Sequence, residues 1–81
     1  KGDTAAAMPF LKKAMELDER YEEPFFFYGD LLVKQGKFAE ALPVYRRLVG
    51  LSPLDASHQL NLGLVLYNRR LVKRLAAQAG R

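Results

Sequence analysis

The stretch Gln35–Pro53, QGKFAEALPVYRRLVGLSP, decides the fold, because the chain carries its pattern twice. Moved back by 34 residues, it lies without a gap over Lys1–Glu19, KGDTAAAMPFLKKAMELDE. Gly36 meets Gly2, Ala39 meets Ala5, Ala41 meets Ala7, Pro43 meets Pro9 and Leu51 meets Leu17, while Arg46-Arg47 meets Lys12-Lys13. The same shift carries Gly29 onto Gly63 and Leu32 onto Leu66. A fixed offset of this length marks a repeat architecture. Each unit is one supersecondary element that buries its apolar face against its neighbour.

The unit is helical. Ala7, Leu11 and Ala14 recur at helical intervals, as do Ala41, Tyr45 and Leu48, and Leu60, Leu64 and Tyr67. No segment alternates apolar and polar for long, and neither Asn-Gly nor Asp-Gly occurs to turn a hairpin. Breakers divide the pattern at residues 18–21, at Gln35-Gly36-Lys37, at Gly50-Leu51-Ser52-Pro53 and, most weakly, at Asn68-Arg69-Arg70. Five helices are expected, roughly 3–16, 22–35, 38–50, 55–68 and 71–79. Gly36 suits a left-handed helix cap and Asp55 an N-cap. Pro9 and Pro43 each fall past the first turn of a helix, where proline removes a backbone hydrogen bond and favours a kink.

A 34-residue helix-turn-helix unit with these residues resembles a tetratricopeptide repeat. Residues 22–55 read as one complete repeat. Phe25 is the large residue at the fourth position, Tyr28-Gly29 stands for the leucine-glycine pair, Ala41 is the alanine, Tyr45 the second aromatic and Pro53 the closing proline. Leu32 replaces the family's first aromatic and Leu48 its second small residue. Residues 1–21 are similar to the second helix of a preceding repeat whose first helix is missing. Residues 56–81 are similar to a third repeat with Leu62-Gly63 in the signature place and a shortened second helix. The resemblance implies an all-α solenoid of about two and a half hairpins in a single domain, 1–81. First helices would line a concave face that binds an extended peptide or a helix.

The run Phe25-Phe26-Phe27-Tyr28 then divides. Each residue advances a helix by about 100°. Phe25, Tyr28, Gly29 and Leu32 therefore cluster toward the hairpin core, and Glu23, Phe26, Phe27, Asp30, Val33 and Lys34 fall opposite. In related repeats those opposite positions line the groove. Their counterparts in the third repeat include Leu60, Asn61, Leu64, Tyr67 and Asn68. The expected groove is an apolar strip of Phe26, Phe27, Val33, Leu60, Leu64 and Tyr67, edged by Glu23, Asp30, Lys34, Asn61 and Asn68. It lacks the Lys, Arg and Asn set with which some repeats of the family hold a C-terminal carboxylate. Such a group would meet Glu23 and Asp30 instead.

Composition bounds the rest. Eighty-one residues, 49% hydrophobic and 27% charged, suit one small globular domain. A chain this short buries only about 60% of its unfolded surface and has little room for a deep catalytic cleft. No apolar run reaches the ~20 residues that span a bilayer. Cysteine is absent, which removes disulfides, thiolate chemistry and cysteine metal sites and leaves the compartment open. The first residue is Lys1 rather than Met, which points to a piece of a longer chain. His58, the single histidine, lacks the partners of a metal or catalytic site and reads as a solvated or packing residue. The glycines are isolated and form no phosphate loop. Neither a cofactor nor a catalytic residue is expected.

Charge is uneven. Residues 1–55 carry eight Lys/Arg and nine Asp/Glu, whereas residues 56–81 carry five Lys/Arg and no acid. The basic tail lacks interleaved aromatics, so nucleic-acid contact would rest on charge alone. The chain is expected to be an interaction module for an apolar peptide or amphipathic helix. The alternative is self-assembly, with a homodimer covering the open edge of the first helix.

Overall fold

The computed structural model describes residues 4–80, so Gly2, the expected helix start at residue 3, and Arg81 of the basic tail lie outside it. The described residues form four helices: α1 (Thr4–Leu17), α2 (Glu22–Lys34), α3 (Phe38–Leu51) and α4 (Ala56–Ala79). The protein is an all-α helical repeat, with each helix packed on the next in chain order.

The α2–α3 turn is closed by Gly36 at φ +75°. The Gly36 amide donates to the Val33 carbonyl at 2.9 Å, and the Lys37 amide donates to the Leu32 carbonyl at 2.8 Å. This pair is a Schellman motif, which satisfies the last carbonyls of α2 and needs a residue without a Cβ at the left-handed position. The N-cap of α4 also forms as expected: an Asp55 oxygen accepts from the Ser57 amide at 2.9 Å. Arg47 fastens the α1–α2 loop to α3 by donating to the Glu19 carbonyl at 3.1 Å and to its carboxylate at 3.3 Å. Pro9 and Pro43 lie inside α1 and α3, both on exposed positions.

One expected boundary is absent. The weak break at Asn68-Arg69-Arg70 does not form, and the two segments 55–68 and 71–79 are a single helix of 24 residues. None of these three residues is a glycine or proline. Arginine is a good helix former. The Asn68 amide is engaged locally, donating to the Leu64 carbonyl at 2.8 Å. The helix therefore runs on through residues 70–79, where a returning second helix was expected.

The core lies between α2 and α3 and reaches α4. It comprises Phe25, Leu32, Ala41, Leu42, Val44, Tyr45, Leu48 and Val65. Gly29 permits it. A Cβ built there would lie 3.1 Å from the Tyr45 ring and 3.2 Å from Val44 Cγ1. The repeat-related Gly63 has no such neighbour within 4 Å. These two glycines should respond in opposite directions to substitution. Gly29→Leu overpacks the hairpin and should cost about 2 kcal/mol. Gly63→Ala relieves the helix-propensity cost of glycine and should gain about 1 kcal/mol. Urea denaturation of the two variants checks both signs.

Candidate functional site

The aromatic run divides as its helical phase requires. Phe25 is buried and Tyr28 packs half-buried against the core, whereas Phe26 is 39% and Phe27 50% exposed. The Phe26 and Phe27 rings meet edge to face, with centroids 5.6 Å apart and planes at 72°. On α4, Leu60, Leu64 and Tyr67 are exposed by half or more. Asn61 and Asn68 are half-buried. The apolar part of the expected strip is thus at the surface, apart from Val33, which leans on the core.

Its polar edge is largely committed to local partners. Asp30 pairs with Lys34 at 3.0 Å, one turn apart on α2. Glu23 accepts the Tyr21 hydroxyl at 2.6 Å, which pushes that phenol's pKa up. The Asn68 amide is held by its own helix. Burial, with the Asp30 carboxylate as a smaller cause, raises the Tyr45 hydroxyl.

Phe27 and Asp30 also face a second neighbour. With Leu31 they meet Ala7, Phe10 and Leu11 of α1 around an open hollow of about 380 Å³. Sequence reasoning assigned α1 no site residue. The signal was there in the repeat: the 34-residue shift places Phe10 on Val44, yet Phe10 is 78% exposed and Val44 only 7%.

His58 proves to be a buried packing residue that joins three elements. Its Nε2 lies 3.0 Å from Glu22 Oε1 at the start of α2 and 3.4 Å from Asp55 Oδ2 at the start of α4. Ser52, in the α3–α4 loop, donates its hydroxyl to the other Glu22 oxygen. Nε2 therefore carries the proton toward Glu22, and Nδ1 is buried without a partner among the described residues. The Ser52 hydroxyl, followed by His58, lowers the Glu22 pKa; the two bonds from Ser57 lower that of Asp55. Among the described residues, no three His, Asp or Glu side chains converge as a metal site.

The basic residues Arg70, Lys73 and Arg74 are exposed along the second half of α4, and Arg69 is half-buried. No described helix is long and apolar enough to cross a membrane.

Sequence models described as tetratricopeptide repeat match residues 29–81 and residues 1–21. The chain belongs to the tetratricopeptide repeat family. In the structure α2 and α3 form a helical hairpin, with α1 packed on α2 and α4 on α3. A curated relative is similar over 77 residues at 38% identity: the cytochrome c-type biogenesis protein CycH of Rhizobium meliloti (strain 1021). The match covers 95% of this chain, which spans only 19% of that relative's length.

The Glu22 contacts make a pH prediction. A carboxyl with a lowered folded-state pKa stabilises the fold above its unfolded pKa and loses that contribution as pH falls through the folded value. The unfolding midpoint should therefore drop in acid, below the ordinary glutamate value of 4.5. Glu22→Gln should flatten that part of the profile. Thermal melts across the acid range check it, and equal slopes in both proteins would contradict it.

Proposed function

We propose that the chain is a protein–protein interaction scaffold and not an enzyme, and that the outward face of α2 and α4 takes an apolar peptide or the apolar side of an amphipathic helix. One observation carries this reading: Phe26, Phe27, Leu60, Leu64 and Tyr67, from two different repeats, are all exposed. Exposed apolar side chains in this number on a small protein favour an interaction site. A helix laid in an apolar groove is held by anchors at i, i+3, i+4 and i+7. The two aromatic rings and the aliphatic side chains of α4 supply area for such anchors. Asn61 is the polar group best placed to set register, because Glu23, Asp30, Lys34 and Asn68 are engaged with local partners.

The family supports a scaffold role, since tetratricopeptide repeats generally act as protein-interaction modules. The similarity to a relative named for cytochrome c-type biogenesis supports a place for this scaffold in that process.

A fluorescent amphipathic helical peptide, with leucines at i, i+3, i+4 and i+7, is the first probe. Anisotropy should report binding that a scrambled peptide lacks. The double variant Phe26→Ser/Leu64→Ser should weaken it by at least about tenfold, the loss expected of truncated central anchors. Equal affinity in the double variant would contradict the reading. Binding that survives this variant and falls steeply with salt would move the site to the basic half of α4.

A further inference from the structure

The basic pair Arg46-Arg47 recurs at the repeat offset as Lys12-Lys13, and the proposed apolar strip uses neither pair. In α3 the pair stands on the face turned away from the core. Pro43, Arg46, Arg47 and Gly50 are exposed, whereas Ala41, Leu42, Val44, Tyr45 and Leu48 are buried. With Arg20 of the α1–α2 loop and Leu51, the exposed four line an open hollow of about 600 Å³. We infer that this hollow is a second binding site, which takes the carboxylates of an acidic peptide segment of a partner protein.

Charge argues for that occupant. Three of the lining residues are arginines and none is acidic. Arg47 is already spent, since it donates to the carbonyl and the carboxylate of Glu19. Arg20 and Arg46 pair with no carboxylate among the described residues, so these two are the cations left to a ligand. Their placement is fixed from both sides. The Arg47 bonds fasten the loop that carries Arg20 to α3, and the Arg20 amide donates to Asp18 Oδ1 at 3.0 Å. An incoming carboxylate therefore meets two guanidinium groups from two elements that are tied together, and the planar fork of arginine matches a carboxylate. A second hollow that Arg47 lines holds Lys12 together with Glu16 and Glu19, and is balanced by its own acids.

Shape argues for a peptide over a lone anion. Ligand pockets run from roughly 300 to 1,000 Å³, and this hollow falls within that range. Pro43, Gly50 and Leu51 give it an apolar part beside the charged one. Gly50 keeps it open. Its φ is not positive, and a Cβ built there meets nothing within 4 Å, so neither a turn nor packing asks for glycine at this place in α3. Glycine weakens a helix, and what its missing side chain provides here is bare backbone in the hollow.

A short fluorescent peptide of glutamates around one leucine tests the site, by anisotropy at low salt with the 81-residue chain. The acidic peptide should bind, and its glutamine analogue should not. Arg20→Gln/Arg46→Gln should weaken binding about fivefold or more. Lys73→Gln/Arg74→Gln removes the same charge from α4 and should change the affinity by less than about twofold. Gly50→Gln keeps the charge, narrows the hollow and should weaken binding as the arginine variant does. All five positions are exposed, so circular dichroism should show wild-type helicity throughout. Equal losses in the two double variants would overturn the inference in favour of diffuse attraction to net charge. Full affinity in Gly50→Gln would overturn the hollow as the place of binding. No binding of the acidic peptide, or a single-stranded oligonucleotide held by the same arginines in its stead, would overturn the assignment of the ligand.

Discussion

The approach of α2 to α3 at Gly29 is the constraint on which the structure depends. Backbone meets the Tyr45 ring and the Val44 methyl where any side chain would have to push them aside. At that separation Phe25 and Leu32 reach Ala41, Tyr45 and Leu48 and form a dry core with few residues. The hairpin is the nucleus on which α1 and α4 pack from either side. A core this small leaves the flanking helices half-covered, and their exposed apolar residues are what a partner can use.

The same geometry aims the aromatics. With Gly29 fixed against α3, helical phase turns Phe26 and Phe27 away from the core, and on α4 Leu60, Leu64 and Tyr67 are also exposed. His58 holds α4 in place. Its imidazole bridges the α2 start to the α4 start through Glu22 and Asp55, and Ser52 completes the link from the loop between. A buried ring nitrogen without a partner costs about 1–3 kcal/mol. The bond to Glu22 offsets that cost, and its effect is to hold the start of α4 against the start of α2.

Much of this was legible in the sequence, for identifiable reasons. The offset of 34 residues, the left-handed Gly36 and the Asp55 cap are local signals, and the helices follow them to within one or two residues. The division of the aromatic run followed from phase alone. The unbroken course of α4 was not legible, because Asn68-Arg69-Arg70 resembles a turn only in composition. Asparagine can satisfy itself on its own helix, and the arginines favour continuation. The His58 bridge was hidden because Glu22 is 36 residues away and meets it only after the hairpin has folded. The engagement of Asn68 with its own helix was equally out of reach, whereas the Asp30–Lys34 pair follows from its spacing of one helical turn.

The central claim is that the face of α2 and α4 is the working surface. A nuclear magnetic resonance titration of the isotopically labelled chain with the amphipathic helical peptide tests it most directly. The account predicts that shifts concentrate at Phe26, Leu60, Leu64 and Tyr67 and spare the outer side of α3. Shifts confined to α3, or to the basic half of α4, would contradict it.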